Sequence, residues 1–199
     1  YALTAIKSIG RNVSNDIVKE REQRGPYTNL KDFATRTSEL DVSKKTIENL
    51  IKAGAFDGMG ATRKQLMSIY VKVLDSIHQD KKKNMAGQIT LFDLADDSEK
   101  ENYDIKMPDV GEYSKEMLLA FEKEVLGIYV SGHPLEEYEA LWKKHITDMT
   151  SAFLLDEETG VVSVEDGKTA VIGGIITDKK IKYTKNDKVM AFLQLEDLA

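Results

Sequence analysis

Two short turns, Ser8-Ile9-Gly10-Arg11-Asn12 and Gly58-Met59-Gly60-Ala61-Thr62-Arg63-Lys64, each place glycine just ahead of an apolar pattern with helical spacing. Glycine in such a turn tolerates positive φ and close backbone approach, so the amides opening the next helix can point outward. With the helix dipole behind them, those amides bind a phosphate oxygen without reading a base. In the first turn the candidates are Ile9, Gly10, Arg11 and Asn12, with Lys7 adding charge; in the second they are Gly58, Gly60, Thr62, Arg63 and Lys64. The same glycines also fit ordinary helix C-caps and turns, and the pattern leaves that reading open.

Two further groups could do chemistry. Gln88-Ile89-Thr90-Leu91-Phe92 lies between Lys81-Lys82-Lys83 and an acidic tract. Leu91 and Phe92 could bury their apolar surface in a partner's pocket while Gln88 sets the register by hydrogen bonding. The alternative is a short strand or helical turn that returns to this chain's own core. Near the end, Lys179, Lys180, Lys182 and Lys185 surround Tyr183, which would make a basic surface with one base-stacking ring; a solvated hairpin accounts for the same residues. His78, His133 and His145 lack ligand-like spacing, and Asp96 and Asp97 belong to a run of solvated charge. No catalytic residue and no metal ligand is expected in this stretch.

The elements that must hold these groups follow from periodicity. Leu3 and Ile6 lead into the first turn, and Val13, Ile17 and Val18 continue as a helical face that Gly25-Pro26 stops. Thr28 is read as the N-cap of a short helix bearing Leu30 and Phe33, with a turn through Leu40 and Asp41 after it. Ile47, Leu50 and Ile51 mark a helix ended by Gly54. Thr62 and Gln65 have capping-box spacing ahead of Leu66, Ile69, Tyr70, Val73, Leu74 and Ile77. After an acidic loop, helical order resumes at Ser114 with Leu118, Phe121, Val125 and Ile128 expected on one face. His133-Pro134 is expected to start another helix with Leu135, Tyr138, Leu141 and Trp142 turned inward. Residues 171–177 and 189–195 then read as antiparallel strands joined through Asn186-Asp187.

Composition sets the bounds. At 199 residues and 41% hydrophobic content, the chain can build one large domain or two small ones. No apolar run approaches the ~20 residues of a membrane span. The absence of cysteine excludes disulfides and thiolate-held metals and fits a cytoplasmic location. The formal net charge of −6 hides a division: residues 1–88 carry 16 Lys and Arg against 10 Asp and Glu, residues 89–167 carry 6 against 20, and residues 168–199 carry 6 against 4. Basic ends suit phosphates, whereas an acidic middle repels them and suits solvent or a protein partner. The abrupt start at Tyr1 and end at Ala199 suggest a piece of something longer.

Ala5-Ile6-Lys7-Ser8-Ile9-Gly10, Gly25-Pro26-Tyr27, Asp32-Phe33 and the run from Leu50 to Asp57 resemble the tandem helix-hairpin-helix region of the catalytic alpha subunit of bacterial DNA polymerase III. The run from Glu122 to Leu135 is similar to the segment that precedes that family's C-terminal OB domain. The resemblance implies a mainly α fold with a small β segment: a tandem helix-hairpin-helix bundle over 1–80, a linker over 81–112, a helical connector over 113–150 and a truncated OB-fold hairpin within 151–199. It also implies that Gln88, Ile89, Thr90, Leu91 and Phe92 dock on the sliding clamp, and that this peptide is exposed when unbound. The partners it implies are the duplex DNA backbone, the clamp, single-stranded template and other replisome subunits, with no membrane.

The parent implied by the resemblance is a template-directed DNA polymerase. Its acidic magnesium-binding triad belongs to an upstream palm domain that nothing here matches, so this stretch is expected to need no cofactor and to be inactive alone. Two other readings remain: a non-enzymatic helix-hairpin-helix adaptor of repair or recombination, and a specialised mutagenic relative of the polymerase.

Overall fold

Helix α1 (Arg11–Arg24) runs through a stretch free of glycine and proline, and it stops where Gly25 turns to φ 85° ahead of Pro26. The chain, a computed structural model, is described at residues 3–85, 105–157 and 160–198, and it divides into units spanning 1–130 and 131–199. Helix α2 (Leu30–Arg36) starts from Asn29 and not from Thr28. The Asn29 side-chain oxygen accepts Asp32 N–H at 2.9 Å, and Thr28 N–H donates back to the Asp32 carboxylate at 2.9 Å. Asn29 takes the cap because its oxygen is the one within reach of the third helical amide, leaving Thr28 to close the reciprocal bond.

Helices α3 (Lys44–Lys52), α4 (Arg63–Met85) and α5 (Lys115–Leu126) complete the first unit. Ser43 caps α3 and Ser114 caps α5 through their side-chain oxygens. α4 packs against α2 and α3, and α5 packs against α3. Ile47, Leu50 and Ile51 are buried at the centre of a cluster that Ile6, Ile9, Ile17, Phe33, Phe56, Leu66 and Val73 extend. Burying each of the larger side chains contributes about 1.5–3 kcal/mol relative to leaving it exposed. Tyr27, Phe33 and Phe56 meet edge to face at 4.9 and 5.2 Å, the favoured aromatic geometry.

Arg36 locks the loop between α1 and α2. Its guanidinium lies 2.6 Å from Glu20, donates to the Gly25 carbonyl at 2.8 Å and stacks 4.3 Å from the Tyr27 ring centre. That hydrogen bond from Arg36 holds the Glu20 carboxyl below its ordinary range.

The inward face of α5 differs from the expected one. Leu119, Glu122 and Val125 are buried, whereas Leu118 and Phe121 are half-buried and Ile128 is exposed. A carboxylate sits in the centre of that face, so a stripe drawn through apolar residues alone was rotated away from it. This helix, read from the sequence as part of a connector, lies in the same unit as both glycine turns.

In the second unit, a 3₁₀ turn over Glu136–Tyr138 leads into α6 (Glu139–His145). Pro134 lies in the turn before these helices, where His133 Nδ1 accepts Leu135 N–H at 3.1 Å. Trp142 is buried and donates to the Gly173 carbonyl at 2.8 Å, but Tyr138 and Leu141 face solvent. Strand β1 (Ile175–Tyr183) pairs antiparallel with β2 (Val189–Glu196), with a register irregularity between Ile176 and Asp178. β1 starts later than the apolar run suggested. The Val171 carbonyl accepts Thr147 N–H and the Gly173 carbonyl accepts the Trp142 indole, so both carbonyls already have partners outside the ribbon. Among the described residues, no helix is long and apolar enough to cross a membrane.

Candidate nucleic-acid interface

The first turn is fixed from below and open above. Ile6 and Ile9 anchor it in the core, Ile9 N–H donates to the Ile6 carbonyl at 3.1 Å, and Lys7 N–H donates to the Val125 carbonyl at 2.8 Å. Asn49, which is buried on α3, donates its side-chain amide to the Lys7 carbonyl at 2.6 Å. The left-handed residue of this turn is Ser8, at φ 69°, and not Gly10. Gly10 has φ −75° and ψ 162°, an extended N-cap conformation open to any residue.

Gly10's value is space. A Cβ there would meet nothing within 4 Å, no side chain caps the helix, and the first turn of α1 carries no acidic residue. Lys7, Gly10, Arg11 and Asn12 are all exposed around that helix end. The amides of the first helical turn have no intrahelical acceptor, so they face the approach of an anion. Ile9 is a correction to the expected set: its side chain is core and its amide is already bonded.

The second turn has a different fate. Gly58 and Gly60 do take positive φ, 84° and 80°, and both are exposed. Thr62 and Gln65 form the expected capping box: Thr62 N–H donates to Gln65 Oε1 at 2.9 Å, and Gln65 N–H donates to Thr62 Oγ1 at 3.2 Å. The next amides are also taken. Arg63 N–H and Lys64 N–H donate to the two oxygens of the Glu112 carboxylate at 2.8 and 3.0 Å, and Tyr113 N–H donates to the same group at 2.8 Å.

Burial pushes the Glu112 carboxyl up, but these backbone donors outweigh it and hold the group below its ordinary range. Lys64 remains half-buried, 5.9 Å from the Tyr113 ring centre.

Arg63 is no surface contact. Its guanidinium donates to Asp57 at 2.7 Å, to the Lys52 carbonyl at 3.1 Å and to Glu122 at 3.1 Å. Its side chain is 7% exposed and that of Glu122 is 0%. Glu122 also accepts Val130 N–H at 2.7 Å. Gly54 leaves room for this arginine, because a Cβ there would lie 2.3 Å from its Nη2. A charge this deep is tolerated when every donor and lone pair is matched, and the match here ties α3, α4 and α5 together.

Three of the four candidate lysines of the second unit lie on a strand. Lys179, Lys180, Lys182 and Tyr183 belong to β1, and Lys185 sits in the turn. Alternation along the strand sends Lys179 and Tyr183 to one face and Lys180 and Lys182 to the other. Lys182 stands 5.2 Å from the Phe192 ring centre across the ribbon, and Tyr183 is 75% exposed. Gln88, Ile89, Thr90, Leu91 and Phe92 lie outside the described residues.

Sequence reasoning missed Glu112, Glu122, Asn49 and Ser8. Glu122 left a usable trace, standing three residues from both Leu119 and Val125 on what becomes the buried face. Glu112 left none, because the two α4 amides that donate to it are 48 and 49 residues away in sequence.

Comparison with known proteins agrees with this geometry. Residues 1–66, from the first turn to the opening of α4, match a family described as the helix-hairpin-helix motif. DNA polymerase III subunit alpha of Mycobacterium leprae is 34% identical over 198 residues, covering 100% of this chain and 16% of that protein. The subunits of Borreliella burgdorferi and Aquifex aeolicus are likewise 34% identical over 99% of this chain, covering 17% and 14% of their own lengths. The chain therefore spans about a sixth of the length of the first two of these curated relatives. Across its whole length it is homologous to one stretch of the alpha subunit of DNA polymerase III, with a helix-hairpin-helix motif in its first third.

Proposed function

We propose that this chain is the part of a template-directed DNA polymerase that holds the duplex backbone and tethers the enzyme to a sliding clamp. The open start of α1, with exposed Lys7 and Arg11 beside uncapped amides, is the observation that carries the reading. Such a site holds a phosphate by charge and backbone N–H groups and is indifferent to base sequence. Lys7, Gly10, Arg11 and Asn12 are its members, while Ile9 supports it from within. The ribbon of β1 and β2 is the start of an OB-like domain, with Lys179, Lys180, Lys182, Tyr183 and Lys185 following single-stranded template.

Gln88 to Phe92 serves as the clamp peptide. A clamp encircling DNA raises the effective concentration of the enzyme at the primer end without a large interface. Primer extension belongs to the whole polymerase, acting with its replisome partners in the cytoplasm. Magnesium in that polymerase would supply the phosphoryl-transfer chemistry from carboxylates elsewhere. In this reading the chain's part is binding, and the stretch alone is inactive.

Fluorescence anisotropy with several duplexes tests the reading. Affinity should be independent of sequence and fall with salt, and Arg11→Ala should weaken binding to all duplexes while lowering the salt slope by about one. Marked preference for one sequence, or salt-insensitive affinity, overturns it. For the tether, replacing Leu91 and Phe92 with alanine should abolish capture by immobilised clamp; undiminished capture sinks that assignment.

A further inference from the structure

We propose that Glu112 is an internal stand-in for a DNA phosphate, closing the second hairpin while the strap over residues 108–113 is docked and freeing it when the strap lifts. The proposal rests on the reading of the hairpins as phosphate-binding elements and adds a regulation to one of them. Its basis is geometric. The start of α4 is where a second phosphate would be gripped, and in this structure that place holds an anion supplied by the chain itself.

The two Glu112 oxygens divide the Arg63 and Lys64 amides between them, as two oxygens of one phosphate would. The segment is held by more than this carboxylate. Thr62 Oγ1 donates to the Gly111 carbonyl at 2.6 Å, and Gln65 Nε2 donates to the Pro108 carbonyl at 2.9 Å. Tyr113 adds an edge-to-face contact with Phe121 at 5.1 Å. The capping-box residues thus do two jobs: they open α4 and they seat the strap.

Magnitudes favour closure in the resting chain. A tethered carboxylate competes at an effective concentration of millimolar order or above. Non-specific DNA binding, with all its phosphate contacts summed, has a Kd of about 10⁻⁴–10⁻⁶ M, so one phosphate contact alone cannot displace it. Docked, Glu112 also places a negative charge where the duplex would pass. Opening therefore requires removal of Glu112 or a partner that takes hold of the strap.

Glu112→Ala tests this in the chain as it stands, with Asp109→Ala as the control that removes an equal charge from the same exposed strap. Glu112→Ala should bind duplex at least threefold tighter than Asp109→Ala, with a salt slope steeper by about one counterion. Adding Lys64→Ala should cancel that gain, though it does little in the unaltered chain. A second readout needs no DNA: the Arg63 and Lys64 amide resonances should shift when inorganic phosphate is titrated into Glu112→Ala and stay still in the parent chain.

Equal affinities for Glu112→Ala and Asp109→Ala, or phosphate-silent Arg63 and Lys64 amides in the folded variant, overturn the proposal. Should Glu112→Ala fail to fold by circular dichroism, Glu112→Ser, whose side chain is too short to cover the two amides, carries the same two measurements. Failure of the underlying reading looks different: no form of the chain binds duplex and Arg11→Ala changes nothing, while the phosphate titration still decides what Glu112 covers.

Discussion

At the start of α1 the N-cap is a glycine with open space around it and no side chain over the first amides; at the start of α4, Thr62, Gln65 and Glu112 take the corresponding donors. Both turns rest on the same core, and both were picked out by the same glycine-and-base pattern. Their basic residues went opposite ways, Arg11 to the surface and Arg63 into a matched internal network. The difference teaches that glycine and positive charge mark a helix entrance, while the availability of that entrance depends on what the rest of the chain lays over it. An exposed amide pair is an anion site until a carboxylate arrives from elsewhere.

The largest expected effect strikes the foundation of the second turn. Glu122→Ala should cost about 3–5 kcal/mol in urea denaturation, because it strands the buried Arg63 guanidinium, whereas Arg11→Ala should change stability by less than about 0.5 kcal/mol. Similar costs for the two would erase the distinction between an internal and a surface arginine.

Next in size is a contrast of glycines. Gly58→Ala forces a Cβ into left-handed backbone and should cost about 1–2 kcal/mol, while Gly10→Ala, at ordinary φ and in open space, should stay within about 0.5 kcal/mol. Thermal melts of the two variants read this directly, and a Gly10→Ala variant that melts as low as Gly58→Ala would restore a conformational role to Gly10.

The smallest effect concerns the anchoring of α1 and is revealed by pH. Tyr27 donates to the Ile17 carbonyl at 2.9 Å, and burial pushes its phenol up to about 12 from the ordinary 10.0. A raised pKa in the fold means its stabilisation is complete below pH 10 and lost as pH rises through about 12. Tyr27→Phe should cost about 1 kcal/mol at neutral pH and flatten the alkaline decline of the urea midpoint between pH 10 and 12. An unchanged alkaline profile in Tyr27→Phe would assign that decline to other groups.

Much of this was legible because it is local. Gly25-Pro26 ending α1, the Thr62–Gln65 capping box and the buried run of Ile47, Leu50 and Ile51 each depend on residues within one or two turns of each other. The shift of the α2 cap from Thr28 to Asn29 is a one-residue error of the kind that boundaries invite, since both side chains offer an oxygen. The misplaced start of β1 has a longer-range cause. Val171 and Gly173 read as strand by composition, but their carbonyls are claimed by Thr147 and Trp142.

By itself, then, the sequence determined the helix-turn-helix order, the apolar core and the resemblance on which the functional reading rests. Those follow from spacing and propensity along a single stretch of chain. Tertiary structure alone decided which helix entrance stays open, which arginine is spent internally and where the ribbon's lysines point. Each of those outcomes turns on a partner far away in sequence, such as Glu112 for Lys64 or Glu122 for Arg63, and periodicity carries no information about which distant carboxylate will fill a given set of donors.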